Sequence, residues 1–189
     1  MKDEFFNNYS VKIQSVLGGR QWKDVLELAK AIEEIWLNGQ RLYLCGNGGS
    51  AANAIHLAND FLYGVGGGTK AGIKVEALSA NPAVLTCIAN DVSYKDIFGI
   101  QLEAKGQTGD VLIVLSGSGN SPNVVRALEV ANKRGMTTAA VLGYSGGECL
   151  GLADLSVHFE VDDMQIAEDL QLVVGHMCMQ WLKNRHVDC

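Results

Sequence analysis

Leu44-Cys45-Gly46-Asn47-Gly48-Gly49-Ser50 and Leu115-Ser116-Gly117-Ser118-Gly119-Asn120-Ser121 share one design: an apolar run that breaks into a turn of glycines and hydroxyls. Before the first stands Arg41-Leu42-Tyr43-Leu44-Cys45, and before the second Asp110-Val111-Leu112-Ile113-Val114-Leu115. Both are short and almost wholly apolar, as strands buried on two faces must be. Behind each turn a helix is expected, one from Ser50 to about Tyr63 and one opened by Pro122 and closed by Gly135. Strand, glycine turn and helix therefore occur twice, which is the signature of parallel strands joined by helical crossovers.

The rest of the chain extends the pattern. Residues 23–37 put Val25, Leu28, Ala29, Ile32, Ile35 and Trp36 on one helical stripe, stopped by Asn38-Gly39. Strands are expected over 73–78, 136–142 and 156–161. Helices are expected from Asn81-Pro82, over 94–104, over 147–153, and over the long apolar stretch 164–184. The alternation predicts an α/β fold, a doubly wound parallel sheet flanked by helices in a flavodoxin-like three-layer sandwich. One domain over 1–189 is expected, with an N-terminal helical segment to about residue 38.

Composition narrows the function. The chain has 189 residues, 15 Lys and Arg against 21 Asp and Glu, and a net charge of −6. With no basic block, binding to nucleic acid or to an anionic membrane surface is disfavoured, because both need clustered cations. No apolar run nears the ~20 residues of a membrane span, and Met1-Lys2-Asp3-Glu4 opens no signal peptide. Cys45, Cys87, Cys149, Cys178 and Cys189 are odd in number and lack Cys-x-x-Cys spacing, so reduced thiols in a cytoplasmic protein are expected. The 22 glycines, well above the usual share of about 7%, ask for a structural use.

The two turns supply one. Unpaired N–H groups at a helix start, the positive dipole end and small residues that allow close approach make an anion site. Ser116, Ser118 and Ser121 add hydroxyl donors without bulk. Glycines of this kind also serve tight strand-to-helix turns, but two hydroxyl-rich turns at equivalent places favour a bound phosphate. Gly46-x-Gly48-x-x-Ala51 fits the dinucleotide fingerprint loosely, yet the next strand's acidic residue, Glu76, lies farther on than the usual ~20 positions. No P-loop motif occurs, so the phosphate is expected on a small metabolite, with no nucleotide cofactor.

Beyond Ser50, His56 and Asp60 share one helix face and can act as metal ligands or as an acid and a base. Glu168 and His176 on the terminal helix lie roughly 12 Å apart along its axis, so one ion reaches both only at full extension. Partners from another helix or another subunit are favoured. Taken singly, His176 also reads as a core histidine and Asp60 as a solvated carboxylate. The terminal helix is apolar on several sides, which suits an internal helix or a subunit contact.

Leu-Cys-Gly-Asn-Gly-Gly-Ser-Ala-Ala-Asn-Ala-Ile-His at 44–56, Ile88-Ala89-Asn90-Asp91, Ser-Gly-Ser-Gly-Asn-Ser at 116–121 and Gly-Tyr-Ser-Gly-Gly at 143–147 together resemble the sugar isomerase (SIS) domain family. Within it, the phosphoheptose isomerases are most similar. The resemblance implies a homotetramer that converts sedoheptulose 7-phosphate to glycero-manno-heptose 7-phosphate at the entry to bacterial heptose synthesis. It implies phosphate on Ser50, Ser116, Gly117, Ser118 and Ser121, and sugar near Asn47, Gly48, Asn90 and Asp91. The proton-transfer pair falls on Asp60 and His176. A zinc ion, one per subunit, would fall on His56, Asp60, Glu168 and His176, a donor set suited to it.

Four departures accompany the likeness. Asp60 stands where the family has Glu, Glu168 where it has Gln, Gly117 where it usually has Thr, and Gly64, opening a glycine-rich run to Gly72, where it has Arg before a charged segment. Three readings therefore stand: the heptose phosphate isomerase, an isomerase of another phosphosugar, and a non-catalytic phosphosugar-binding regulator.

Overall fold

A computed structural model describes residues 2–66 and 71–186. Helices α1 (Lys2–Leu17) and α2 (Lys23–Asn38) precede β1 (Arg41–Cys45), α3 (Gly48–Asn59), β2 (Lys74–Ala77), α4 (Pro82–Asp91) and α5 (Gly99–Lys105). Then come β3 (Val111–Ser116), α6 (Pro122–Lys133), β4 (Thr137–Leu142), α7 (Gly147–Leu152), β5 (Leu155–His158) and α8 (Met164–His186). All strand pairs are parallel, in the order β2-β1-β3-β4-β5.

Alternation along each strand divides the core. Leu42 and Leu44 of β1, Val111, Ile113 and Leu115 of β3 and Val141 of β4 face the layer of α2, α3 and α8. Tyr43, Cys45, Leu112, Val114 and Leu142 face α5, α6 and α7. The central strands β1, β3 and β4 are buried on both sides, so their near-continuous apolar runs are a consequence of the layer geometry. Truncating a core residue such as Leu44, fully buried, to Ala is expected to cost ~2–5 kcal/mol.

The order also fixes where a ligand can enter. The chain leaves β1 toward β2 on one side and returns to β3 on the other, so a crevice opens at the carboxyl ends of β1 and β3. Register pairs Cys45 with Val114, and the two glycine turns emerge side by side. At Gly46 a Cβ would stand 2.8 Å from the Leu115 carbonyl oxygen, so glycine is what lets the two turns approach.

Three expected elements are altered. The helix after Ser50 gives way at Asp60 to a π-helical turn, Asp60–Gly64, closed by the Val65 amide on the Asp60 carbonyl at 3.1 Å. The segment 94–104 is a 3-10 turn, Tyr94–Asp96, followed by α5, because the Ser93 hydroxyl binds Asp96 at 2.7 Å and Ile97 and Phe98 turn into the core. The last strand ends at His158 rather than 161, where the backbone turns back on itself through the Val161 amide and Phe159 carbonyl. The glycine-rich run 64–72 lies partly outside the described residues.

Cys45, Cys149 and Cys178 are buried thiols, whereas Cys87 is exposed and hydrogen-bonded to Asp91 at 3.4 Å. Burial raises all three buried thiols, Cys149 to about 11 and Cys178 to about 12, so none is a ready nucleophile. Cys189 lies outside the described residues. Among those described, no helix is long and apolar enough to cross a membrane.

Candidate active site

The crevice holds a cleft of about 270 Å³ lined by Asn47, Gly48 and Ser50 from the first turn, Ser116, Gly117, Ser118 and Ser121 from the second, and Met164 and Glu168 from α8. Seven of the nine expected substrate-binding residues thus line one cleft. Their hydroxyls are already oriented. Ser50 Oγ accepts from Gln171 Nε2 at 3.0 Å, Ser116 Oγ from the Gly119 amide at 3.0 Å, and Ser118 Oγ from the Asn120 amide at 3.3 Å. A hydroxyl that accepts from the protein keeps its hydrogen for a ligand, so the three serines are set as donors. Ser121, at the N-cap of α6, makes no capping bond with its side chain. Donors at two helix starts, with small residues between them, suit a phosphate.

The Gly-Tyr-Ser-Gly-Gly segment braces this cradle from behind. The Gly143 amide donates to Gly117 at 2.9 Å and the Cys149 amide to Gly119 at 3.0 Å, while the Glu148 amide meets Asn120 Oδ1 at 3.0 Å. Gly117 itself has a physical reason to lack a side chain, since a Cβ there would stand 2.5 Å from Met164 Sδ. The thioether fills the volume.

One and a half turns along α3, His56 and Asp60 face His176 of α8. The imidazole Nε2 atoms are 2.9 Å apart, and Asp60 Oδ2 stands 3.4 Å from His56 Nε2 and 3.2 Å from His176 Nε2. Two nitrogens at that separation share one proton, because two N–H groups cannot point at each other. The three donor atoms lie within 4.8 Å of one another, compact enough to grip a metal ion. Asp60 opens the π-helical turn, a feature that recurs at functional sites. Side-chain exposure is 49% for His56, 40% for His176 and 19% for Asp60, so the cluster faces outward from a single chain.

Two sets of expected site residues lie apart from these groups in the single chain. Glu168, expected as a fourth metal ligand, is not in that group; its carboxylate packs against Gly49 in the cleft. Two helical turns of α8 separate it from His176, as the spacing warned. Asn90 and Asp91, expected near the sugar, do not line the cleft. They sit exposed at the end of α4, where Asn90 Nδ2 donates to Asp91 Oδ1 at 2.8 Å.

Sequence reasoning missed the residues that hold these groups. Gln171, 1% exposed, reaches Ser50 and accepts from Asn53 Nδ2 at 3.0 Å, tying α8 to the start of α3. Asn123, 1% exposed, pairs with Asn47, and Tyr94 reaches the same amide. A polar amide between Leu170 and Leu172, in an otherwise apolar stretch, is the available signal for Gln171. Nothing local marked Asn123.

Over 177 residues, 94% of this chain and 79% of the relative, the sequence is 36% identical to a phosphoheptose isomerase of Nitratidesulfovibrio vulgaris. It is 37% identical over 159 residues to one of Clostridium acetobutylicum, covering 84% of this chain and 81% of the other. The solved structure of a phosphoheptose isomerase from Neisseria gonorrhoeae matches with a TM-score of 0.89 at 25% identity, covering 97% of each chain. Residues 4–143 match the SIS domain family, and with these likenesses the chain belongs to that family, alongside its phosphoheptose isomerases.

Proposed function

We propose that the protein is an aldose–ketose isomerase that converts sedoheptulose 7-phosphate to D-glycero-D-manno-heptose 7-phosphate. The observation that carries this reading is the meeting of Asp60 and His176 at 3.2 Å beyond an anion cleft built on the same two helices. Phosphate held by the hydroxyls of Ser50, Ser116, Ser118 and Ser121 lets the carbon chain run along α3 and α8. From Ser50 to His56 the helix rises about 9 Å, so the reacting carbons must lie several bonds from the phosphate. A long sugar phosphate suits that span better than a short one.

Isomerisation needs one group to move a proton between C1 and C2 and another to protonate and deprotonate the two oxygens through an enediolate. Asp60 Oδ2 is suited to the first role and His176 to the second. His56, sharing a proton with His176, holds that imidazole in place. Asp60 is one methylene shorter than the family's glutamate, and the π-helical turn that begins at this residue is the local backbone feature through which its position is set.

His56 Nε2, Asp60 Oδ2 and His176 Nε2 would also hold zinc, the ion suited to two imidazoles and a carboxylate. Bound there, zinc would polarise the sugar carbonyl as a Lewis acid. The chain's own part is the same in either case: it positions the sugar and presents the carboxylate and imidazoles to C1 and C2.

The outward-facing cluster, together with Phe5, Phe6 and Tyr63 each at 70% exposure or more, supports assembly with further copies, and we take the homotetramer as the working state. The same reading takes residues 1–189 as one domain with 1–38 as its N-terminal helical segment, working in the cytoplasm. Mass measurement in solution tests the assembly.

Turnover of a panel of ketose phosphates tests the substrate. Preference for sedoheptulose 7-phosphate is expected. Preference for another member would transfer the reading to a different phosphosugar, a change that Glu168 and Met164 at the cleft favour. No turnover of any would overturn it.

A further inference from the structure

Asn47 occupies the N-cap of α3 with extended backbone, φ −112° and ψ 153°, yet its side chain does not cap the helix. It is turned instead into a reciprocal amide pair. Asn47 Nδ2 donates to Asn123 Oδ1 at 2.8 Å, and Asn123 Nδ2 donates back to Asn47 Oδ1 at 2.8 Å. Tyr94 Oη adds a second donor to Asn47 Oδ1 at 3.1 Å. A carbonyl oxygen has two lone pairs, so Asn47 Oδ1 is saturated, while Nδ2 retains one hydrogen.

From these contacts we infer that Asn123 and Tyr94 are positioning residues that lock the Asn47 amide in place at the cleft, where its one remaining hydrogen-bonding position meets the sugar. Swinging the Asn47 side chain away from Asn123 would lose both reciprocal bonds at once. Asn123, buried to 1% exposure in the first turn of α6, has no water to compensate that loss. The ligand group beside Asn47 is therefore a polar one, a hydroxyl or carbonyl of the sugar. Because the serines carry the phosphate, the lock acts on the sugar end of the ligand. This inference rests on the proposed isomerase reading for the identity of that ligand.

Tyr94 is 61% exposed, so Tyr94→Phe removes one hydroxyl without disturbing the core. Asn123→Leu keeps the shape and removes the pair. Against sedoheptulose 7-phosphate, KM is expected to rise about threefold for Tyr94→Phe and about tenfold for Asn123→Leu, the range for losing one and two hydrogen bonds. The inhibition constant for inorganic phosphate, which probes the serine cradle alone, should stay within about twofold of wild type in both. A parallel rise in the phosphate constant would mean that Asn123 only supports the loop, and would overturn the inference. So would wild-type KM in Tyr94→Phe, which settles the matter even if Asn123→Leu fails to fold. Should wild-type protein turn over no ketose phosphate, the isomerase reading fails separately. Calorimetric affinities of wild type and Tyr94→Phe for sedoheptulose 7-phosphate and for inorganic phosphate then decide the lock by the same contrast.

Discussion

At its N-terminus α3 offers Gly48 and Ser50 to the cleft, whereas near its other end it brings His56 and Asp60 to His176 of α8. The first region is made of backbone amides and of hydroxyls that, at Ser50, Ser116 and Ser118, already accept from the protein, so it is set to donate. The second is made of groups that accept and release protons. Separating the two along one rigid helix lets binding and proton transfer be altered independently, and the sharpest tests exploit that.

The largest effect is expected at the proton-transfer end. Asp60→Asn and His176→Ala should each lower kcat by about 10²–10⁴-fold, the range for losing a general acid or base, while inorganic phosphate inhibits as in wild type. Steady-state kinetics with phosphate as competitor checks this, and a matching loss of phosphate affinity would break the separation. At the other end, Ser118→Ala and Ser121→Ala should each weaken phosphate inhibition about tenfold, as loss of a hydrogen bond to a charged group does, with kcat changed little.

Glu168 sharpens the boundary between the regions. Its carboxylate packs against Gly49 inside an anion cleft, and Glu168→Gln removes that like charge. Phosphate affinity should rise about threefold, by the scale of one partly screened charge pair, and the gain should shrink as salt increases. Zinc titration of the same variants separates the second role once assigned to it: affinity should be lost in His56→Ala and His176→Ala and retained in Glu168→Gln.

The smallest effect concerns what steadies α8. Burial alone would push the Glu33 carboxyl up, but hydrogen bonds from Arg185 at 2.9 Å and His186 at 2.6 Å hold it below its ordinary value. A carboxyl depressed in the folded state contributes stability above its unfolded pKa and loses it as pH falls through the folded one. Thermal melts should therefore show the wild type losing its advantage over Glu33→Gln below about pH 4, the carboxylate range. Phosphate binding near neutral pH should be unaffected.

The contrast between the two regions also explains what could be read in the sequence. The cradle was legible because strand, glycine turn and helix start are contiguous: Ser50, Ser116, Ser118 and Ser121 lie within a few residues of the backbone that aims them. The sheet order followed from the same local repetition. His56 and Asp60 were legible as a pair because four residues make one helical turn, but their meeting with His176 depends on how α3 packs on α8, which no spacing encodes. The separation of Glu168 from that cluster depends on the same packing. Gln171 and Asn123 escaped notice because their value lies in long-range amide contacts, and an amide inside a helix carries no local signature of what it will touch.

Deuterium transfer tests the central claim most directly. Wild-type protein incubated with sedoheptulose 7-phosphate in deuterated water should release heptose phosphate carrying deuterium at C2 and return substrate labelled at C1, and Asp60→Asn should do neither while still binding phosphate. A wild-type protein that binds phosphate yet yields no product and no exchange, with zinc or without it, would contradict the account.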